Sequence, residues 1–303
     1  MSEQAKTTVA GLPIAMTASL KRRRRLAMAG RILVAVLALG YALLPVLYVI
    51  SASFNPLNTL SSTTLIPRQA SLENFQRLLN DPVNPFLRWM WNSLKVSVIA
   101  AVLSTLVSAI SAYAFSRFRF RGRRTLLLSV FLVQVFPNSL TMVATFLLLQ
   151  LIGRHVPSFG LNAHGGLILV YLGGAMGINT WLMKGYFDTV PRDIDESAMI
   201  DGASHWQIFW RIIFPLVRPI IAVVTMLTFI SAYNDYLFAL LLLRDNKLWT
   251  LAVGLNTFLS GQFTREWGVF AAGALMGAVP IVAIYLILQD YIVGGLTQGA
   301  VKS

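Results

Sequence analysis

A short polar segment at residues 191–203 gathers carboxylates between two long apolar stretches of the chain. Its acidic members are Asp193, Asp195, Glu196 and Asp201. Carboxylates can move protons in an active site, or they can pair with basic groups on another protein. Catalysis would need several acidic or histidine side chains facing one pocket, and the sequence suggests no such cluster. The chain is 56% hydrophobic and only 12% charged, so carboxylates gathered in one short segment stand out. We expect this segment to be a surface that binds a partner protein.

Several other kinds of site are excluded by residue type. The chain has no cysteine, which rules out disulfides, cysteine-ligated zinc and iron–sulfur clusters. Its histidines, His155, His164 and His205, are scattered singly, which argues against a histidine metal site. There is no Gly-Lys dipeptide, and hence no phosphate-binding loop of the G-x-x-x-x-G-K type. We therefore expect a chain that is not itself an enzyme, binds no cofactor and does not hydrolyse ATP alone.

The net charge of +13 comes largely from basic clusters placed beside apolar runs. This placement is typical of cytoplasmic loops under the positive-inside rule. We expect the clusters to meet anionic lipid head groups and not nucleic acid. The two clusters are Lys21, Arg22, Arg23, Arg24, Arg25 and Arg31, and Arg117, Arg119, Arg121, Arg123 and Arg124.

Six apolar segments are long enough to cross a membrane as helices, which takes about 20 residues each. With both basic clusters in the cytoplasm, both termini are cytoplasmic as well. The sequence thus predicts an all-α polytopic membrane protein with a basic N-terminal segment (1–31), a transmembrane domain (32–293) containing a cytoplasmic loop (184–219), and a cytoplasmic C-terminal tail (294–303). The predicted spans are Ile32–Phe54, Trp91–Phe115, Thr125–Leu151, Gly165–Met183, Ile220–Leu243 and Val269–Val293.

The first span and the loop after it each have two interpretations. The uncharged run Ile32–Ile50 has 19 residues, longer than the core of about 7–15 in a signal peptide, so we expect a retained span. The outer loop Asn55–Arg88 is rich in Pro, Asn, Ser and Thr, and a short helix at Leu72–Leu79 is expected within it. It is either a solvated connector or a docking surface for an external protein.

Polar residues inside the apolar spans mark a candidate pathway. Pro137 lies in the third predicted span, and the amide side chains near it need partners or water. These amides either line a polar path or satisfy carbonyls freed at a kink. Asp235, near the outer end of the fifth span, is either a functional group or a carboxylate capped by its neighbours at the interface. The candidate pathway residues are Gln134, Asn138, Tyr233, Asn234 and Asp235.

The acidic segment also has the local signals of a short helix followed by a tight turn. Asp193 and Glu196 have the spacing of a capping box, which predicts a helix from Ile194 to about Ile200. Gly202 can then adopt the left-handed conformation that a β-carbon disfavours.

A second helix is predicted after this turn. Ser204 and Gln207 have capping-box spacing, and apolar residues then recur at i, i+3, i+4 and i+7, as in a helix lying in the membrane interface. Its apolar residues are Trp206, Phe209, Trp210 and Ile213, and Pro215 and Pro219 are expected to end it. A plain connector with solvated charges is the alternative interpretation of the whole loop.

At these residues the sequence resembles the membrane subunits of bacterial binding-protein-dependent ABC importers. Their cytoplasmic motif is E-A-A, two or three residues, G, nine residues, then I-x-L-P. Here Glu196-Ser197-Ala198 is followed by three residues, Gly202, nine residues and Ile212-Ile213-Phe214-Pro215. Ser197 and Phe214 depart mildly from the pattern. Most of the chain after about residue 30 is similar to the smaller membrane subunit of the maltose/maltodextrin importers in this family.

The resemblance implies a type I ABC importer permease fold and a set of partners. A second, larger permease subunit would complete the pathway for a sugar, two copies of an ATPase subunit would bind ATP and magnesium, and an extracytoplasmic sugar-binding protein would deliver substrate. The loop at 244–268 can reach that binding protein in such systems, and the C-terminal tail can touch the ATPase dimer. The residues implied in ATPase coupling are Glu196, Ser197, Ala198, Asp201, Gly202, Ala203, Ile212 and Pro215.

Two other classes of protein remain as alternatives to an importer subunit in the bacterial inner membrane. An autonomous secondary transporter or channel is expected to carry ionisable residues at mid-membrane or a duplicated pair of broken helices, and neither is evident. A membrane-embedded enzyme is expected to carry clustered acidic or histidine residues. The pattern therefore favours the importer subunit, with an importer for a different sugar as the nearest alternative.

Overall fold

A computed structural model describes residues 14–56, 69–134, 137–260 and 266–300, without the side chains of 14–24, 138–139 and 292–300. Over these ranges every regular element is a helix, which confirms the predicted all-α class. The α-helices in the described part are α1 (Ile14–Ser53), α2 (Glu73–Asn80), α3 (Phe86–Arg117), α4 (Arg123–Val133), α5 (Asn138–His155), α6 (His164–Phe187), α7 (Asp193–Ile200), α8 (His205–Ile208), α9 (Phe214–Leu216), α10 (Arg218–Asn234), α11 (Leu237–Leu242), α12 (Leu251–Asn256) and α13 (Trp267–Ala300).

Four helices in the described ranges are long and apolar enough to cross a membrane. They correspond to the first, second, fourth and sixth predicted spans and cover Arg25–Ser53, Phe86–Arg117, His164–Phe187 and Trp267–Tyr291. A fifth is reached only if His205–Leu216 and Arg218–Asn234, which meet at an 80° bend, are taken as one span. The predicted six uninterrupted spans are therefore not observed, and the cytoplasmic placement of both termini stays a prediction.

The third predicted span, Thr125–Leu151, is wrong as a single helix. It consists of two helices, α4, which ends at Val133, and α5, which begins at Asn138. Pro137 has an extended conformation (φ −61°, ψ 124°) and lies just before α5 begins. Because proline has no N–H to donate to the preceding turn, it stands at a helix start more easily than inside one. The kink expected at this proline is thus a full break.

The fifth predicted span, Ile220–Leu243, is also divided. Its first helix, α10, ends at Asn234, and α11 begins at Leu237. Asp235 is extended (φ −65°, ψ 126°), and its Oδ1 accepts a hydrogen bond of 3.1 Å from the backbone N–H of Ala239. The carboxylate thereby caps the new helix and replaces the backbone bonds that a continuous helix would make.

The centre of the bundle is α3, which packs most extensively against α6 and α10. One buried cluster around Trp89 and Leu251 lies toward the predicted outer side, and another around Tyr113 and Phe209 lies toward the predicted cytoplasmic side. The most apolar stretch of α1 has no buried residue, so this stretch presents its side chains to lipid or to another subunit, whereas Ser51, Ala52 and Ser53 at the end of α1 are buried.

The short helix expected in the first outer loop is confirmed as α2. Its buried Asn74 donates hydrogen bonds from Nδ2 to the carbonyl oxygens of Ser53 (3.0 Å) and Asn55 (2.8 Å). These bonds fasten α2 to the end of α1. Residues 57–68 of the same loop lie outside the described ranges.

Candidate functional site

The segment that resembles the importer motif forms two short helices joined at a glycine. The first is α7, and Gly202 follows it with φ +82°, as the sequence predicted. The N–H of Ala203 donates to the carbonyl of Ala198 (2.9 Å), which closes the end of α7. The capping box at Ser204 is also confirmed, because Ser204 N–H donates to Gln207 Oε1 (2.8 Å) and Ser204 Oγ accepts from Gln207 N–H. Local sequence therefore fixes this turn.

The first predicted capping box is wrong. Asp193 is the first residue of α7 and not its N-cap, and no side chain caps this helix. The N–H of Glu196 donates to the carbonyl of Arg192 (3.0 Å), so helical bonding already includes the residue before Asp193. Arg192 is held in place by a hydrogen bond from its Nη2 to the carbonyl of Ser116 (2.9 Å). This tertiary contact moves the helix start by one residue.

The second helix runs past Pro215 and ends before Pro219, the two prolines predicted to stop it. After α8 the chain forms a π-helical turn, Phe209–Ile213, and continues through α9 to Leu216, with Pro215 inside α9. Proline is tolerated in a first turn because the N–H groups there need no helical partner. The break comes at Val217, and Pro219 lies in the first turn of the following helix.

The apolar face of this second helix is divided between core and surface. Phe209 and Ile213 are buried in the cytoplasmic-side cluster, whereas Trp206 is 60% exposed. Trp210 and Ile212 are half-buried at the edge of the same cluster. The predicted amphipathic helix is thus anchored to the protein core and keeps one tryptophan for the membrane interface or a partner.

The two sides of α7 differ sharply in exposure. Asp195 and Ala198, one helical turn apart, are buried against the body of the protein. Glu196, Ser197 and Asp201 are exposed with Met199, and Ile200 is 87% exposed. Because one side of α7 is held against the protein, its other side is free to contact a partner. That exposed side has acidic groups beside apolar ones.

Asp195 and Arg117 form an ion pair that sequence reasoning did not select. Arg117 is the last residue of α3, its Nε lies 3.0 Å from Asp195 Oδ2, and the two side chains are 6% and 7% exposed. Neither Asp195 oxygen accepts a well-aligned hydrogen bond, so the pair is held by charge and proximity. The sequence analysis placed Arg117 in a basic cluster facing lipid head groups and Asp195 in the acidic segment, and it did not pair them.

A second set of polar contacts joins the end of α3 to the start of the same loop. Ser116 Oγ donates to Asp188 Oδ1 (2.7 Å), and Arg117 Nη2 donates to the carbonyl of Val190 (3.1 Å). Burial alone would raise the pKa of Asp188, but hydrogen bonds from Lys184 and Ser116 outweigh it and hold this pKa below its ordinary value. We call residues 184–219 the coupling loop, after the family resemblance. The two contacts fix Asp188 and Val190, early in this loop, to the end of α3.

The candidate pathway residues do not form one group. Gln134 and Asp235 line a cavity of about 680 Å³ between α4, α5, α6 and α10. Tyr233 and Asn234 line a separate cavity of about 470 Å³ beside α12 and α13. The side chain of Asn138 lies outside the described residues.

Asp235 has features of both interpretations left open by the sequence. Its Oδ1 accepts a hydrogen bond from Tyr171 Oη (2.9 Å) as well as capping α11, and the residue also lines the larger cavity. Tyr233, by contrast, is buried and donates from Oη to the carbonyl of Gly277 (3.0 Å), a packing role. The same larger cavity is lined by Asn179 and Thr228, which the sequence did not single out.

Comparison with known proteins identifies relatives along most of the chain. Residues 104–298 match the family "Binding-protein-dependent transport system inner membrane component". The chain is 39% identical over 292 residues to the maltose/maltodextrin transport system permease protein MalG of Yersinia pestis, with 93% of this chain and 95% of that protein covered. For the protein of the same name from Escherichia coli K12 the values are 40% over 281 residues, 89% and 94%.

Solved structures give the same fold. A chain of a bacterial ABC transporter involved in import of the acidic polysaccharide alginate matches with a TM-score of 0.72 and 27% identity, covering 88% of this chain and 96% of that one. A chain of the MetNI methionine ABC transporter matches with a TM-score of 0.53 and 14% identity, covering 69% and 95%, which shows the fold alone.

Proposed function

The chain belongs to the binding-protein-dependent transport system inner membrane components, and from this premise we propose that it is a permease subunit of an ATP-driven importer for maltose, maltodextrin or a related oligosaccharide. The observation that carries the sugar assignment is identity of about 40% with permeases of that name over roughly nine-tenths of the chain. The site of action is the bacterial inner membrane, where this family resides.

The exposed side of α7 is the proposed docking surface for an ATPase subunit. Glu196 supplies the charge for pairing with a basic group, and Ile200 supplies apolar area. Ala198 faces inward and holds α7 against the body, so its role is positional. Gly202 sets the direction of α7 relative to the following helix. Ser197, Asp201 and Ala203 extend the surface, and Ile212 and Pro215 shape the helix that supports it.

The cavity at Asp235 is the proposed contribution of this subunit to the sugar pathway. Its volume of about 680 Å³ is within the usual range for small-ligand pockets, about 300–1,000 Å³. Gln134, Tyr171, Asn179 and Asp235 bring amide, phenol and carboxylate groups to it, which suit sugar hydroxyls. A second, larger permease subunit would supply the other half of the pathway.

Transport would be driven by the partners. ATP closing a dimer of ATPase subunits would move the coupling loop, and an extracytoplasmic binding protein would deliver sugar to the opposite face. A ligand can shift such an equilibrium only by its difference in affinity for the two states. Moving it from 1:99 to 99:1 takes a ratio of about 10⁴, or about 5.5 kcal/mol. ATP and magnesium belong to the partner, so this subunit is not itself an enzyme.

A different oligosaccharide is the alternative substrate. The relative of known structure with 27% identity belongs to an importer of an acidic polysaccharide, so the fold itself accommodates other sugars. Substrate choice is therefore the point that an experiment has to decide.

The test is purification of the tagged chain from its native membranes in mild detergent, followed by ATPase assays. We expect a P-loop ATPase and a second permease to co-purify, and ATP hydrolysis to rise with binding protein and maltodextrin. Stimulation by another sugar, such as a uronic-acid oligomer, would replace the substrate assignment. Purification of the chain alone, with no ATPase, would contradict the importer function.

A further inference from the structure

The central helix α3 differs from every other long helix in the described ranges. It runs for 32 residues, about 48 Å at 1.5 Å per residue, and contains neither glycine nor proline. The other helices of 18 residues or more in these ranges, α1, α5, α6 and α13, all contain glycine, and α1 and α13 also contain proline. Since kinks concentrate at such residues and at breaks, α3 is the stiffest connection between the two membrane faces.

The outer end of α3 is fixed to the loop at 246–251 by side chains of three residues, which we call the outer anchor. Trp89 Nε1 donates to the carbonyl of Asn246 (2.9 Å). Asn92 Nδ2 donates to the carbonyls of Lys247 and Trp249 (3.0 Å each). Ser93 Oγ accepts from the N–H of Leu251 (2.8 Å). These side chains are all buried, so the loop cannot move without α3 or without losing these bonds.

The opposite end of α3 carries the inner anchor, formed by Arg117 with Asp195 and Val190 and by Ser116 with Arg192. Asp195 is on the buried side of α7, opposite the proposed ATPase-docking surface. A buried ion pair often stabilises a contact no better than apolar residues of similar volume, but removing one partner alone is strongly destabilising because it leaves a buried charge unpaired. The pair therefore resists separation of α7 from α3.

We propose that α3 is a rigid connecting helix that transmits movement between the outer loop at 246–251 and the coupling loop, with Asn92 and Arg117 as positioning residues at its two ends. This inference rests on the proposed importer function, because it assigns the path by which external binding reaches the ATPase. Neither residue touches sugar or nucleotide in this scheme. Each holds an end of α3 to the segment that meets a partner.

The outer anchor can be tested with a closely matched pair of variants. Asn92→Ala removes two bonds from a buried amide to backbone carbonyls at the end of α3, and Asn74→Ala removes two of the same kind on α2. The complex with its co-purified partners is reconstituted in nanodiscs, and ATPase activity is measured with and without maltodextrin-loaded binding protein. We expect the stimulation ratio to fall at least about fivefold in Asn92→Ala, the low end of typical coupling factors, and to be unchanged in Asn74→Ala.

The inner anchor is tested by one variant that should lose ATPase stimulation and a second that should restore it. Asp195→Asn keeps the size of the side chain and removes the charge attraction, so the stimulation ratio should fall while basal ATPase activity remains. Replacing the pair together, Arg117→Met with Asp195→Leu, removes the buried charge and the bond to Val190 but keeps apolar packing between α7 and α3. This double variant should restore the ratio, because the proposal requires α7 and α3 to stay in contact but does not require the contact to carry charge.

A further pair of variants covers the case in which an anchor variant does not assemble. Val102→Gly with Leu103→Gly softens α3 at positions 46% and 42% exposed, and leaves both anchors intact. Leu43→Gly with Leu44→Gly does the same in α1, where the residues are 43% and 48% exposed. The α3 variant alone should lose stimulation.

The outcomes separate the two proposals. If the wild-type complex shows no stimulation by loaded binding protein, the importer function itself fails. If the wild type is stimulated but assembled Asn92→Ala and Asp195→Asn complexes keep the full ratio, the role of α3 is overturned. Equal losses in Asn74→Ala, or in the softened α1, would also overturn it, because any loosening of the bundle would then suffice.

Discussion

Substitution of Gly202 tests the turn that orients α7. Gly202 has φ +82°, and an added β-carbon would meet nothing within 4 Å. The cost of Gly202→Ala is therefore entirely in the backbone, about 1–2 kcal/mol for an L-residue held in the left-handed region. We expect the free loop to relax to another turn, so that docking must restore the native one. The affinity for the ATPase should then fall by a factor of about 5 to 30.

The assay is titration of purified ATPase subunit against the permease pair in nanodiscs, with sugar-stimulated ATP hydrolysis as the readout. Gly185→Ala is the matched control, because Gly185 lies at the start of the same segment, still within helix α6, and its β-carbon site is also open. In a right-handed helix this change is neutral or stabilises by up to about 1 kcal/mol. Gly202→Asp adds a charge to the strain and should abolish uptake while the chain still inserts in the membrane.

The reasoning is refuted by either of two results. The first is a half-saturating ATPase concentration that changes less than twofold in Gly202→Ala at equal permease content. The second is an equal shift in Gly185→Ala, which would mean that the loop tolerates no change of any kind.

Three further predictions concern other parts of the molecule. Glu196→Lys should abolish ATP-driven uptake with insertion retained, because it reverses the exposed charge on α7; wild-type uptake by the variant would rule out a role in coupling. Gly254→Ala should lower the melting temperature of the complex, since the new β-carbon would collide with the buried ring of Trp89 and overpacking costs about 1–3 kcal/mol. An unchanged melting temperature would contradict this contact. Lys184 helps to hold the pKa of Asp188 below its ordinary value of about 3.9, so this carboxylate stabilises the fold above that pH and the stability is lost as the pH falls through the lower folded value. Asp188→Asn should therefore make the melting temperature depend less on pH in the acid range. A pH dependence parallel to that of the wild type would argue against the pairing.

The parts of the site that local chemistry determines could be predicted from sequence. Gly202 and the Ser204 capping box depend only on residues within about five positions, and both are confirmed. The ion pair between Arg117 and Asp195 joins residues far apart in sequence, and charge placement alone assigned Arg117 to a lipid-facing cluster. The mistaken cap at Asp193 has the same origin, because a distant carbonyl fixes the residue before it.

The span pattern was predictable where hydrophobicity is continuous and failed where polar groups replace helical bonds. Hydropathy averages over about twenty residues, so it does not register a carboxylate that ends one helix and caps the next, as Asp235 does. Pro137 was a visible signal, and it indicated a disturbance without showing whether the helix bends or stops. The pathway residues are divided at one of these breaks, because Tyr233 and Asn234 at the end of α10 line one cavity and Asp235, just after α10, lines the other.

The outer anchor also has a consequence for biosynthesis. Asn92 is made early, but its partners Lys247 and Trp249 lie 155 and 157 residues later in the chain. At about 5–20 residues per second, roughly 8–30 seconds pass between the translation of the amide and that of its acceptors. During that interval α3 is already long enough to enter the bilayer while its amide has no permanent acceptor. Chains truncated before residue 247 would lack both of these acceptors, so the outer end of α3 could not be fixed as it is in the complete chain.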